Sequence, residues 1–124
     1  MNLKKKFTLK QNIFGSWISI GNYQITEIFS NLCVDFLGID LEHSTIDLDQ
    51  SLKIISICES KGIACLPRIP THNNEIIKRL LDAGSSGIIV PNVENIDQID
   101  NIVSYMKYPP IGLRGYGISK AQNY

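Results

Sequence analysis

The sequence predicts an α/β fold of four parallel strands, each followed by a helix. Three observations point there. Runs of β-branched and aromatic residues alternate with amphipathic segments in units of roughly 25 to 30 residues, the length of a strand and its crossover helix. The strand segments are apolar almost throughout, as expected when both faces of a parallel sheet are covered. Glycines and capping residues fall at the joints between segments. Such a chain winds as a (β/α) barrel or as a doubly wound sheet. Its 124 residues make one domain, about half of the roughly 250 that a complete eight-stranded barrel needs.

Residues 1–12 read as a polar leader in which Lys4, Lys5 and Lys6 form a solvated turn. Residues 13–20 read as the first strand, closed by Gly21 and Asn22. Asn22 is the N-cap of a helix running through Cys33, with Ile25, Ile28, Phe29 and Leu32 on one face. Residues 34–40 form the second strand. After a loop over 41–46, Asp47 caps the next helix while Gln50 reaches back, a variant of the capping box; Gly62 stops that helix. A strand at 63–69, a helix at 74–83 stopped by Gly84, and a strand at 87–91 follow. Asn95 and Gln98 suggest another capping box, and Ile96, Ile99, Ile102, Val103 and Met106 draw the cleanest apolar stripe in the chain. Tyr108-Pro109-Pro110 ends that helix. The tail over 111–117 is rich in glycine and reads as a loop with positive φ angles.

Composition excludes several classes. Twelve basic residues balance twelve acidic ones, so no electrostatic footprint for nucleic acid exists. No apolar run approaches a bilayer span and no signal peptide opens the chain, which places the protein in the cytoplasm with no membrane partner. Cys33, Cys58 and Cys65 lack metal-ligand spacing and sit in apolar stretches, so they read as small buried hydrophobes. Trp17 reads as core.

In parallel α/β folds chemistry collects at the carboxyl ends of the strands. Here the second strand ends in Asp40-Leu41-Glu42-His43, the third in Arg68 between Pro67 and Pro70, and the fourth in Pro91-Asn92. Carboxylates, an imidazole, a guanidinium and an amide thus converge, a set suited to acid–base work on an anionic substrate. Asp40 lies three residues before His43, close enough in a turn to accept the imidazole N–H and orient it as a base. His72 has no such neighbour and reads as an exposed loop residue. Asp82 reads as a tie to its helix end or a nearby loop, Arg114-Gly115-Tyr116-Gly117 as a structural turn, and Tyr116 as a lip of the site.

These runs, with Leu81-Asp82-Ala83-Gly84, Ile88-Ile89-Val90-Pro91-Asn92-Val93 and the pattern P-P-x-G-x-R-G-x-G at 109–117, resemble the HpcH/HpaI family of class II pyruvate aldolases from Ile13 to Gly117. The resemblance implies the amino-terminal half of a TIM (β/α)8 barrel, residues 13–124 forming an incomplete domain that ends before a fifth strand. It implies cleavage of 4-hydroxy-2-oxo acids into pyruvate and an aldehyde. On the matching positions His43 is the acid/base residue, Asp40 its orienting partner, and Arg68 the group that holds the 2-oxo acid and stabilises its enolate oxygen; Glu42 lies near the metal's water shell. A divalent cation, Mg2+ or Mn2+, is implied for the complete enzyme, ligated by carboxylates of the fifth and sixth strands, so this chain supplies no metal ligand. The implied partners are a small 2-oxo acid and either identical subunits or a separate half-barrel. Two other readings keep the fold: a non-catalytic half-barrel that needs a partner chain, and a relative of the acyl-CoA lyases and phosphoenolpyruvate barrels.

Overall fold

The computed structural model describes residues 3–124. In chain order these form helix α1 (Leu3–Thr8), strand β1 (Gly15–Ile18), helix α2 (Tyr23–Ser30), strand β2 (Phe36–Asp40), helix α3 (Leu48–Ser60), strand β3 (Ala64–Arg68), helix α4 (Asn74–Asp82), helix α5 (Ile96–Met106) and a 3-10 turn at Lys120–Gln122. The sheet order is β1-β2-β3 and every pairing is parallel. Trp17 stands opposite Gly38, and Asp40 opposite Arg68.

Three strands replace the predicted four. Residues 87–91 contribute one parallel bridge, Ile89 opposite Arg68, and prolines set that limit. The Ile89 N–H donates to Pro67 O at 2.8 Å and the Ile69 N–H to Ile89 O at 3.1 Å. Continuing the ladder one step back requires an N–H on Pro67, and one step forward requires one on Pro91. Neither nitrogen carries a hydrogen. The segment is tethered beside β3 without becoming a strand.

Ile18, Leu37, Ile39 and Cys65 alternate into a core shared with Ile54, Ile55 and Cys58 of α3 and Ile77, Leu80 and Leu81 of α4. Because successive strand side chains point to opposite faces, Trp17, Gly38, Asp40, Leu66 and Arg68 lie on the other side. α2 packs on α3 and α3 on α4, so successive crossovers stay on one face of the sheet. That is the winding of a barrel rather than of a doubly wound sheet.

Local chemistry sets most boundaries. Asp47 accepts the Gln50 N–H at 2.8 Å while Gln50 Oε1 accepts the Asp47 N–H at 3.0 Å, a complete capping box worth about 1 kcal/mol. Asn22 and Asn73 cap α2 and α4 by accepting the N–H of Gln24 and Glu75, each at 2.7 Å. Asn95 accepts from Gln98 at 3.0 Å, but Gln98 returns to the Glu94 N–H instead of Asn95, so the second box is displaced by one residue. Gly62 and Gly84 stop α3 and α4 at φ +69° and +95°, a region that disfavours any side chain.

Other expectations need correction. The polar leader contains α1, anchored where the Lys6 ammonium meets the Asp35 carboxylate. α2 ends at Ser30 rather than Cys33, because Asn31 and Leu32 make tight bonds back to Ile28 and Phe29; Cys33 is exposed. Of the apolar stripe on α5 only Ile102 is buried, since among the described residues no element covers Ile96, Ile99 and Val103. None of the tail glycines has a positive φ. Gly112 is required for another reason: a side chain there would collide with the carbonyl oxygens of Ser104 and Lys107.

Candidate active site

The register that places Asp40 opposite Arg68 builds the site. Arg68 Nε donates to Asp40 Oδ1 at 3.1 Å and Nη2 to Oδ2 at 2.7 Å, a two-pronged grip that fixes the guanidinium edge. Asp40 Oδ1 also accepts the backbone N–H groups of Glu42 and His43, both at 3.0 Å. The Ser44 hydroxyl donates to the Asp40 carbonyl. One buried carboxylate thus shapes the loop after β2 and holds the arginine of β3. Burial pushes the Asp40 carboxyl up, but the Arg68 guanidinium, the two backbone N–H groups and the Trp17 indole outweigh it and lower its pKa to about 2. The same ion pair raises the proton affinity of Arg68.

Glu42 joins three elements. Its Oε2 lies 3.3 Å from Arg68 Nε, and its Oε1 accepts from Asn92 Nδ2 at 3.1 Å and lies 3.7 Å from His43 Nε2. Asn92 makes this reach from a left-handed backbone, φ +53°, which asparagine tolerates better than most residues. The expected Asp40–imidazole bond is therefore not the one formed. The Asp40 carboxylate is saturated by Arg68 and backbone N–H groups, and the acid beside the largely exposed imidazole is Glu42.

His72 is half-buried, not exposed, and its Nε2 lies 2.7 Å from the Pro91 carbonyl, which requires the proton on Nε2. It ties the loop after β3 to the segment carrying Asn92. Trp17 is likewise misread as core: it is 42% exposed and its ring faces the Arg68 guanidinium. No periodicity reveals this, because the contact depends on strand register.

The remaining polar candidates lie elsewhere. Asp82 binds Arg114 Nη2 at 2.6 Å, and Arg114 lies over the Tyr108 ring. The ion pair matches the expected loop tie of Asp82, but the expected turn at Arg114-Gly115-Tyr116-Gly117 is not formed: the turn lies at 109–111 and residues 112–118 run without one. Tyr116 meets Tyr108 in a tilted ring pair, centroids 6.0 Å apart at 60°. Cys58 and Cys65 are buried together, and the contact with Cys58, then burial, push the Cys65 thiol up, which suits a core residue rather than a nucleophile. A cavity of about 710 Å³ opens at the amino ends of the strands, away from this chemistry, between α1 and Ala64 and Leu66.

The rim does not by itself suit a metal ion. Among the described residues no group of three or more His, Cys, Asp and Glu side chains could hold one. The Asp40 oxygens already accept four N–H bonds, and both Glu42 oxygens face cationic or amide nitrogens. Hard divalent cations want several oxygen ligands. Among the described residues no helix is long and apolar enough to cross a membrane.

Comparison with known proteins gives a consistent picture. The family described as HpcH/HpaI aldolase/citrate lyase matches residues 14–123. A hydroxypyruvate/pyruvate aldolase of Roseobacter denitrificans is 36% identical over 92% of this chain and 44% of its own length. The crystal structure of an HpcH/HpaI aldolase from Desulfitobacterium hafniense superposes with a TM-score of 0.90 at 30% identity, covering 99% of this chain and 48% of that one. A citrate synthase, SbnG, superposes at 0.86 and 30% identity over 93% of this chain and 47% of its own. The chain spans about half the length of the proteins it matches.

Proposed function

The chain belongs to the HpcH/HpaI aldolase/citrate lyase family, and on that premise we propose that it provides the amino-terminal half of a pyruvate aldolase. The reaction is cleavage of a 4-hydroxy-2-oxo acid to pyruvate and an aldehyde, or the reverse condensation. The observation that carries the reading is the Asp40–Arg68 grip at the carboxyl ends of adjacent strands. That grip occupies Nε and one N–H of Nη2. Among the described residues Nη1 makes no hydrogen bond, so a second pair of donors is left for an anionic substrate.

Breaking the C3–C4 bond leaves negative charge on the three-carbon fragment. A guanidinium held in place beforehand stabilises that enolate oxygen without reorganising. Asp40 keeps Arg68 in position, and His43 takes the 4-hydroxyl proton during cleavage and returns it during condensation, with Glu42 beside its ring. A divalent cation, where the reaction needs one, would be held by carboxylates other than those of this rim and would help neutralise the enolate.

The two rim residues can be separated by choice of reaction. Decarboxylation of oxaloacetate forms the same enolate but has no 4-hydroxyl proton to remove. In the complete enzyme His43→Ala should lower kcat for aldol cleavage by roughly 10²–10⁴-fold while leaving oxaloacetate decarboxylation within about tenfold. Equal losses in both assays would remove His43 from the proton-transfer role.

A second reading, a half-barrel that works only with a partner half, is favoured by the uncovered apolar residues Ile96, Ile99 and Val103 of α5 and by Phe14 beside β1. Exposed apolar patches of this kind favour association. Size-exclusion chromatography with light scattering should then show an assembly larger than the 13.9 kDa chain. A monomer that unfolds cooperatively in urea would contradict the need for a partner.

A further inference from the structure

Trp17 stands on the face of the sheet opposite the helices and is 42% exposed, yet its ring has a defined seat. Its partner in register on β2 is Gly38. A Cβ at that glycine would lie 2.6 Å from the indole Cζ3, so the ring fills space that any other residue at 38 would claim. Arg68 reaches the same spot from β3. The outer strands are two strand spacings apart, about 10 Å, so their side chains meet only above the middle strand. The gap at Gly38 makes room for that meeting, and the guanidinium carbon lies 5.1 Å from the indole centroid.

Asp40 grips the guanidinium along its Nε–Nη2 edge, where Glu42 Oε2 also lies 3.3 Å from Nε. An edge contact leaves the plane free to tilt about the line of its two hydrogen bonds. The indole ring, its centroid 5.1 Å from the guanidinium carbon, limits that tilt, and a cation–π contact strengthens as the pair is shielded from water; the Arg68 side chain is 25% exposed.

We infer that Trp17, seated by Gly38, is a positioning residue that fixes the plane of the Arg68 guanidinium for a planar carboxylate ligand such as a 2-oxo acid. This rests on the reading of Arg68 as the substrate-holding cation. Trp17 acts through Arg68 and through the Asp40 carboxylate that grips it, and takes no part in bond making.

The test combines a measurement that needs no ligand with one that does. In the 15N-labelled protein the Arg68 Nε–Hε proton resonance should lie upfield, shielded by the indole ring. Trp17→Leu should return it toward the position of an unstacked arginine, and Trp17→Phe should retain part of the displacement. Calorimetric affinity for oxalate should fall about tenfold in Trp17→Leu and in Gly38→Ala, and stay within about twofold in Trp17→Phe. A resonance that does not move in Trp17→Leu overturns the proposal. So does unchanged oxalate affinity in Trp17→Leu and Gly38→Ala where Arg68→Ala abolishes binding, a result that leaves the role of Arg68 intact. Unchanged affinity in Arg68→Ala overturns the underlying reading of Arg68 instead.

Discussion

Arg68→Ala in the complete enzyme should lower kcat/KM for aldol cleavage and for oxaloacetate decarboxylation alike, by roughly 10²–10³-fold, the size of effect seen when one preorganised donor to a developing oxyanion is removed. Both reactions pass through the same enolate, so a group that stabilises it cannot serve one and not the other. Arg68→Lys should recover only part of the loss. An ammonium is a compact point charge that can neither grip Asp40 with two parallel bonds nor present a delocalised plane to the Trp17 ring. The same Ala substitution should lower the urea midpoint, because it leaves the Asp40 carboxylate buried without its counter-ion. Steady-state kinetics on both substrates check the assignment, and a loss confined to one of them would contradict it.

Asp40→Asn is expected to lower stability in a pH-dependent way. The folded protein lowers the Asp40 pKa from 3.8 to about 2, so folding favours the ionised form. A carboxyl depressed in this way contributes stability that is fully present above its unfolded pKa and is lost as pH falls through the folded one. The contribution is about 2 kcal/mol at pH 7. Urea unfolding should therefore show wild type more stable than Asp40→Asn by about that amount at neutral pH, with the difference shrinking below about pH 4 and nearly gone by about pH 2. A gap that persists at pH 2 would mean that the amide fails for steric reasons rather than for want of charge. The variant should also loosen the loop after β2, since the backbone N–H groups of Glu42 and His43 and the guanidinium all converge on this one side chain.

Much of the fold is legible because short-range signals set it. Asp47 and Gln50 sit three residues apart and form their box, Gly62 and Gly84 end helices by allowing positive φ, and the apolar face of α4 buries Ile77, Leu80 and Leu81. The fourth strand fails through a longer-range cause. Residues 87–91 look like a strand, but their pairing depends on a hydrogen-bond register in which Pro67 and Pro91 fall at the donor positions. The stripe on α5 is also real as a pattern. Periodicity says that a helix has an apolar face, not that anything lies against it.

The sequence by itself determined which residues end the strands, and thus that Asp40, Glu42, His43, Arg68 and Asn92 would gather at one rim of a parallel sheet. Spacing along the chain is enough for that, because every strand of such a sheet delivers its last residues to the same end. Only the tertiary structure decided how those groups pair: Asp40 with Arg68 instead of the imidazole, Glu42 beside His43, and Trp17 over Gly38 against the guanidinium. The Asp40–Arg68 and Trp17–Gly38 pairings follow from register between strands separated by twenty or more residues, where a shift of one position would send each side chain to the opposite face.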